Sequence, residues 1–487
     1  MLQKMNLKIN LNYIYIAIFA SFFFFWSITL GDFYNYFLSD QISIQISSTL
    51  SRIKLSYLIL ILLIPIFYRL VRKRNSFFKG IFNNQKHIII FILFIIVHYF
   101  LVKIYYQEIF TKYEIESLIY LLLLSIIYSH YRSFILVHFK KIIIFYLIIL
   151  ISYSIFEGSQ IYNFGFWKDN VLYFKNEGQC NVDLFLIGIL RKYLSISLSN
   201  SIYAENSHLA MMSVAVLFAS IYILVQEKKS NILFLLLFLI EIIIVLTNLS
   251  TTYFVCYLVS QITLLFFFLK KISIKFWIFT ILLLFINSYL FFSDKNCTVK
   301  VTDFKISDVL DKKLVKVDIN LTTLIYKRSV ILALDTIKDH SLGWGIDGMD
   351  DATYNLLSKY KNNPFCWPLA DVTMVYRESV CKDKDDVNKE WAAWQLGVLN
   401  LKDGLSNFFK MFTEFGIFTF IIFFYFIKYI LNIKNINPYN LFIITLFVTM
   451  CIRGVGYFSG GFIFCLFEFF YCKKFSNQFM LKNKHND

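Results

Sequence analysis

The chain has 487 residues, 58% of them hydrophobic and 20% aromatic, with a net charge of +16 and a mean hydropathy of +0.61. This composition excludes a soluble globular domain and predicts an all-α, polytopic membrane protein, because apolar runs of about 20 residues cross a bilayer as helices that satisfy their own backbone hydrogen bonds. The basic residues are dispersed over many short segments, which argues against a nucleic-acid partner.

In chain order, the apolar runs predict twelve transmembrane helices. The fourth, fifth and twelfth runs are short, so counts of eleven or thirteen remain open. The first run is long and no small-residue cleavage site follows it, so we interpret it as a retained span rather than a signal peptide. The runs lie near residues 13–31, 55–70, 87–104, 116–130, 142–156, 208–226, 231–247, 250–269, 274–293, 405–427, 439–457 and 459–472.

These runs divide the chain into three parts. Residues 1–293 contain the first nine predicted helices and a smaller hydrophilic loop near 157–206. Residues 294–404 form one large hydrophilic loop, and residues 405–487 contain the last three helices and a basic tail. Water-exposed chemistry is therefore expected in the two loops and at the helix ends beside them.

The distribution of charge predicts the orientation. Every second connecting segment is short and basic, whereas the segments between them, including the large loop, have mixed charge. Basic residues favour the cytoplasmic side of a membrane, so both termini are predicted to be cytoplasmic and both larger loops to be external. The basic segments include Arg69, Arg72, Lys73 and Arg74; Arg132, Lys140 and Lys141; Lys228 and Lys229; Lys270 and Lys271; and Lys473 and Lys474.

Polar residues at the predicted external helix ends are candidates for a site. Arg328 lies within a stripe of apolar residues at helical spacing, so its side chain needs an anionic partner, either a ligand or a carboxylate such as Asp335. Arg453 lies near the external end of the eleventh span, before the glycine-rich RGVGYFSGG. Asn407, Lys410, Met411 and Glu414 share one helix face at the start of the tenth span, where Lys410 and Glu414 can pair at i,i+4. Arg191, Glu205, Asn206 and His208 precede the sixth span.

A family resemblance rests on these same segments. The run RSVILALDTIKDHSLGWGIDGMD resembles the signature of the bacterial O-antigen polymerase/ligase superfamily, an arginine-led helix followed by a Gly-x-Gly turn. The run DGLSNFFKMFTEFGIFTF resembles the family's next segment, in which an Asn precedes Glu-x-Gly at the start of a span. YAENSHLAMM, LTNLSTTYF and RGVGYFSGG resemble three further family motifs. The residues that match are Arg191, Glu205, Asn206, Thr247, Ser250, Thr251, Arg328, Gly343, Gly345, Asn407, Glu414 and Gly416.

The resemblance implies a membrane-embedded, GT-C-like glycosyltransferase of the bacterial inner membrane that uses a glycan linked to undecaprenyl pyrophosphate. The two larger loops would then lie in the periplasm. The polymerases of this family join O-antigen repeat units, and the ligases move finished polymer to lipid A-core. Ligases have a His immediately before the Asn of the second motif, whereas this chain has Ser406 before Asn407. This difference favours the polymerase, whose partners would be membrane lipid and a co-polymerase that regulates chain length.

The chemistry of such a transfer assigns roles to the candidates. Arginines stabilise a pyrophosphate leaving group by bidentate hydrogen bonds, a task expected of Arg191, Arg328 and Arg453. No metal or other cofactor is then expected, and no CxxC or HxxxH spacing occurs in the predicted external segments. The acceptor hydroxyl needs a general base, for which Glu205 and His208 are favoured over His340, Asp347 and Glu414. Asn206, Asn407, Glu414 and the Gly343-x-Gly345 turn are expected to contact the substrate, the turn by letting backbone approach phosphate or sugar. For His340 the alternative is a helix C-terminal cap.

A carrier that flips or exports lipid-linked oligosaccharides is the alternative from a different functional class. Transporters usually have internal repeats and charged residues near the bilayer midplane. No repeat is visible here, and the ionisable residues of the spans are expected to cluster at one mouth, which favours an enzyme. A cavity open only to the outside would indicate an enzyme, and one accessible from both sides a carrier.

Overall fold

The computed structural model describes residues 11–26, 54–72, 86–106, 112–163, 206–226, 232–247, 250–293, 321–349, 351–352, 355, 406–454 and 456–471. The regular elements in these ranges are helices. They are α1 (Leu11–Phe24), a 3-10 segment (Leu55–Leu62) that continues as α2 (Leu63–Arg72), α3 (Lys86–Tyr105), α4 (Lys112–Asn163), α5 (Asn206–Gln226), α6 (Ile232–Thr247), α7 (Thr251–Phe268), α8 (Ile274–Ser293), α9 (Leu321–Asp339), α10 (Asn407–Phe415), a 3-10 turn (Gly416–Phe418), α11 (Thr419–Asn432), α12 (Pro438–Ile452) and α13 (Phe462–Phe470).

The length and composition of these helices identify a multi-pass membrane protein. Four apolar segments are long enough to cross a bilayer, and several shorter apolar helices accompany them. Large apolar side chains are exposed along their outer faces, as at Phe266, Phe285 and Phe424. In a bilayer such faces contact lipid, so their exposure carries no penalty. The four long segments are Ile88–Tyr105, Glu114–Ser152, His208–Gln226 and Asn407–Asn432.

Helix α12 forms the centre of the bundle. Its side chains from Tyr439 to Met450 are buried, and it packs against α5, α7, α10 and α13. Asn437 caps its first turn by accepting a hydrogen bond from the backbone N–H of Asn440 at 2.8 Å, and Pro438 lacks the N–H that a first-turn residue would leave unpaired. The core is therefore built around a helix with no lipid-facing side.

The bundle has two ends, which differ in their contacts. At the site end, where α10 begins and α12 ends, the Ser406 hydroxyl donates to the Cys451 carbonyl. At the far end, where α11 ends and α12 begins, Lys271 Nζ donates to the Ile433 carbonyl at 2.8 Å. The Tyr222 hydroxyl donates to the Ile436 carbonyl at the same end, at 2.9 Å. Helices α5 and α7 therefore run antiparallel to α12.

The prediction of an interruption between the fourth and fifth apolar runs is wrong. Helix α4 is continuous for 52 residues, so the basic segment predicted as a loop, residues 132–141, is helical. A straight helix of this length would measure about 78 Å, more than twice the thickness of the hydrocarbon core.

Helix α4 nevertheless changes direction within the bundle. Its first part runs alongside α13 and its second part alongside α1, and these two helices are antiparallel, because the start of α13 packs on the end of α1. The reversal lies just beyond Tyr131, so both apolar runs cross the bundle within one helix. The contacts are Tyr120–Phe458 and Tyr128–Phe464 for the first part, Tyr131–Tyr15 and Tyr146–Phe24 for the second, and Phe22–Phe464 between α1 and α13.

The expectation that ionisable residues of the spans cluster at one mouth is also wrong. At the far end, Arg132 of α4 forms a bidentate ion pair with Glu468 of α13, with Nε 2.8 Å from Oε2. The Tyr128 hydroxyl donates to the same carboxylate, and the ring of Tyr471 lies 3.9 Å from the guanidinium. A further acid, Glu241, is fully buried inside α6. Within the described part of the chain, ionisable residues therefore lie at the far end and in the middle of the bundle as well as at the site end.

Candidate functional site

The turn after α9 locks onto the break between α10 and α11. The predicted tenth span is not continuous, because its helix ends at Phe415 and restarts after Gly416. The backbone N–H groups of Trp344 and Gly345 donate to the carbonyls of Thr413 and Glu414 at 3.0 and 2.9 Å, and Ile417 N–H donates to the Ser341 carbonyl at 3.0 Å. The hydrophilic loop and the membrane helices are thus joined by backbone hydrogen bonds.

Glycine is required on both sides of this junction. Gly343 has φ +83°, and a Cβ there would overlap the Glu414 carbonyl. Gly416 has φ +53°, and a Cβ there would overlap the Ser341 carbonyl. The group that approaches Gly343 is therefore protein backbone, where the sequence had suggested phosphate or sugar. Gly345, with φ +82°, faces the ring of Tyr99.

The junction positions a cluster of charged side chains that we call the lysine cluster: Asp347, Lys410, Glu414 and Tyr457. Lys410 Nζ lies 3.7 Å from Glu414 Oε1, which confirms the predicted i,i+4 pair. The same Nζ lies 3.9 Å from Asp347 Oδ1 and 5.2 Å from the centre of the Tyr457 ring. Lys410 and Glu414 are buried, whereas the side chain of Asp347 is 31% exposed. Asp347 is therefore the acid of the cluster that an incoming molecule can reach.

Asp347 is held in an unusual conformation. Its φ is +61°, a left-handed backbone that Asp tolerates better than most residues but that still costs free energy. The Ser117 hydroxyl of α4 donates to its Oδ2. Strain of this kind is concentrated at functional sites, which supports a role for this carboxylate.

Tyr457 is the neutral member of the cluster. It lies on the turn between α12 and α13, and burial, followed by the neighbouring Glu414 carboxylate, raises its pKa well above the usual value for tyrosine. The phenol therefore stays protonated and is available as a hydrogen-bond donor.

A second pair of opposite charges adjoins the lysine cluster. Lys103 Nζ of α3 lies 2.7 Å from Glu114 Oε1 of α4, and the Tyr99 hydroxyl donates to Glu114 Oε2 at 2.9 Å. Lys103 also approaches Asp351 Oδ2 at 4.0 Å. Since Tyr99 packs on Gly345, this pair supports the turn that carries Asp347.

Asn407 fixes the position of Arg453. The Gly456 N–H donates to Asn407 Oδ1 at 3.2 Å, and Asn407 Nδ2 donates to the Gly456 carbonyl at 3.4 Å. A Cβ at Gly454 would overlap the Asn407 amide. Arg453, the residue before this glycine, is 4% exposed and lies within electrostatic range of Cys256 on α7. Asn407 thus acts as a clamp between α10 and the turn that follows Arg453.

The structure places His208 away from the lysine cluster. Its ring lies against Trp26 with centroids 4.9 Å apart, and Trp26 in turn meets Gly460. Tyr457 and Gly460 lie at opposite ends of one short turn. His208 is therefore at the site end, but on the Gly460 side of that turn rather than beside Tyr457. His340 packs between Tyr106 and Trp344, 4.4 and 3.9 Å between centroids, and its Nε2 lies 3.1 Å from Asn355 Nδ2.

The structure brings some of the predicted site residues together, and others lie outside its described part. Asn407, Glu414, Gly343, Gly345 and Arg453 come together at the site end. Arg328 lies on α9, the predicted helix, and Asn206 begins α5, but the side chains of both are outside the described part. Arg191 and Glu205 lie outside the described residues.

Sequence reasoning missed Lys103, Glu114, Ser117 and Tyr457. Lys103 and Glu114 flank a short connection between apolar runs, where a charged residue ordinarily extends to the membrane surface. For Tyr457, the glycines beside it in the sequence were an indication, because they predict close packing of that turn.

Compared with known proteins, the chain matches no family model, no curated protein and no solved structure.

Proposed function

We propose that the chain is a membrane glycosyltransferase of the O-antigen polymerase type, which joins repeat units linked to undecaprenyl pyrophosphate. The observation that carries the proposal is the lysine cluster: one partly exposed carboxylate held beside a buried lysine, next to a buried arginine, at one end of an apolar bundle. This arrangement offers a base and cations at membrane level, where a lipid-linked substrate presents its pyrophosphate.

In this reaction Asp347 accepts the proton of the acceptor hydroxyl. The hydroxyl oxygen forms a bond to the anomeric carbon of the donor, and the bond from that carbon to the pyrophosphate oxygen breaks. Arg453 and Lys410 stabilise the negative charge that develops on the departing undecaprenyl pyrophosphate. Glu205 and His208 remain alternatives for the base, and Arg191 and Arg328 further candidates for binding the pyrophosphate.

A lipid-linked oligosaccharide carrier is the second candidate. It is favoured by the fully buried Glu241 of α6, because acids inside spans are common in transport proteins. The enzyme is preferred because the lysine cluster contains a partly exposed base beside cations, which a passive path for glycans does not need.

Arg453→Lys tests the proposal directly. Lysine keeps the charge but loses the planar, bidentate donor, so lengthening of lipid-linked repeat units by the purified protein is expected to fall about 100-fold. Ser406→Ala is the control, because the Ser406 hydroxyl donates to the Cys451 backbone carbonyl and has no part in the proposed transfer, so most activity should remain. Full activity of Arg453→Lys would reduce Arg453 to a structural role.

The same assay separates the related enzymes. A polymerase lengthens repeat units without lipid A-core. Transfer of finished polymer to lipid A-core, with no lengthening, would identify a ligase and defeat the proposal. Flipping of intact lipid-linked glycan in vesicles without any transfer would identify a carrier.

The orientation is a separate prediction. The far end carries Arg132, Lys140 and Lys271 on the helices that meet there, and basic residues favour the cytoplasmic side. A reporter enzyme active only in the periplasm is therefore expected to be active when fused after Lys384 and inactive after Lys229. Activity after Lys229 would reverse the orientation.

A further inference from the structure

Glu241 lies in the middle of α6 on the face turned into the bundle. It is fully buried, and so are the residues one turn on either side, Phe238 and Ile244. The opposite face of α6 is exposed, as at Leu236 and Leu239. The carboxylate therefore points away from lipid and into the protein.

This acid has no protein partner in the described part of the chain. Neither of its oxygens receives a hydrogen bond there. An isolated buried carboxylate costs several kcal/mol, and such a group persists in a span when it is neutralised by something it binds. Glu468 of α13, a buried acid at the far end, has Arg132 and Tyr128 as partners. The two acids thus form a natural pair for comparison.

Two neighbouring helices add polar groups beside Glu241. Tyr253 of α7 lies within electrostatic range of Glu241 and approaches Asn287 of α8. All three side chains are at most 2% exposed, and α6 and α8 pack together through Phe238 and Phe279, with ring centroids 6.2 Å apart. Three helices therefore contribute a buried carboxylate, a buried phenol and a buried amide, with Tyr253 close to both of the others.

We propose that Glu241, Tyr253 and Asn287 form a buried site for a monovalent cation. One carboxylate supplies a single negative charge and the phenol and amide supply neutral oxygens, a set that matches one positive charge. A divalent ion would leave one positive charge uncompensated inside the bundle. The cation is either a proton carried on Glu241 or Na⁺ held between the oxygens.

Helix α7 connects these side chains with the site end. Cys256, one turn after Tyr253, lies within electrostatic range of Arg453. The charged groups on the other helices that pack against α6 are distant from Glu241: Lys140 of α4 lies against Phe234 toward the far end, and His208 of α5 lies against Trp26 at the site end. Tyr253 is thus the titratable side chain that faces Glu241. This inference is independent of the proposed glycosyl transfer.

Carboxyl-selective labelling tests the site in the full-length protein. Dicyclohexylcarbodiimide, an apolar reagent, modifies protonated acids within membranes, and mass spectrometry locates the adduct. Labelling is expected at Glu241, with none at Glu468 because Arg132 keeps that acid ionised. Infrared difference spectra of the same samples report the carboxylic acid band without relying on access of the reagent. Glu241→Gln keeps the side chain's size and should lose both the adduct and the band.

The dependence on ions decides between the two cations. If the band and the labelling decrease with rising pH and are the same in Na⁺ and in N-methyl-D-glucamine buffers, the cation is a proton. If Na⁺ suppresses both at constant pH and N-methyl-D-glucamine does not, the cation is Na⁺. In either case Asn287→Ala should shift the dependence, since it removes a neighbouring oxygen. A Glu241 signal that changes with neither pH nor Na⁺, or no Glu241 signal in the wild-type minus Glu241→Gln spectrum, would overturn the proposal.

Discussion

Replacement of Gly343 by alanine is expected to prevent stable folding of the site end. The residue has φ +83°, and the new methyl group would overlap the carbonyl of Glu414. The left-handed backbone alone costs about 1–2 kcal/mol for a non-glycine residue. Overlap with backbone adds more, because backbone cannot rotate away, so the total should exceed about 4 kcal/mol. Protein recovered from membranes and its unfolding temperature in detergent measure the effect.

Gly345→Ala is the matched control for this experiment. Gly345 has nearly the same φ, +82°, but its Cβ would make an ordinary contact with Tyr99 at 3.4 Å. Only the conformational cost of about 1–2 kcal/mol then applies. Equal stability of the two variants would show that the turn does not pack against α10 as closely as the structure places it.

Replacement of Lys410 by methionine is expected to abolish activity and to destabilise the protein. Methionine fills similar space but leaves Glu414, which is fully buried, with no positive charge to stabilise its ionised form. Removing one partner of a buried ion pair typically costs about 3–5 kcal/mol. In the proposed reaction Lys410 also contributes to pyrophosphate binding, so lengthening of repeat units should cease in the variant.

A double variant separates the two effects. Adding Glu414→Gln to Lys410→Met removes the buried acid that has lost its partner, so stability should recover by about 1–3 kcal/mol relative to the sum of the single changes, while activity stays absent. Lys428→Met in α11 is the surface control, because Lys428 is exposed and should tolerate the change. Normal stability and activity of Lys410→Met would contradict a role for the lysine cluster.

Local features of the site were predictable from the sequence, and its long-range contacts were not. Lys410 and Glu414 are one helical turn apart, so helix geometry alone places them side by side. Asp347 is more than sixty positions away from Lys410 and reaches it only because the turn at Gly343 docks on α10. No periodic pattern in the sequence predicts this contact, because it depends on the packing of the Gly343 turn against α10.

The class of the protein follows from its amino acids, because apolar runs of this length and number can satisfy their backbone hydrogen bonds in lipid only as helices. Hydropathy also located most helices, including α5 through α8, since each is bounded by polar residues. It could not show that α4 is continuous or that the tenth span breaks at Gly416. The basic residues at 132–141 do not interrupt the helix. The change of direction there is visible only from the contacts of α4 with α1 and α13. Tertiary structure alone decided the surroundings of the buried acids: Glu468 meets Arg132 across the bundle, whereas Glu241 is buried near Tyr253 without a hydrogen-bond partner in the described part of the chain, because these surroundings are set by helices far apart in sequence.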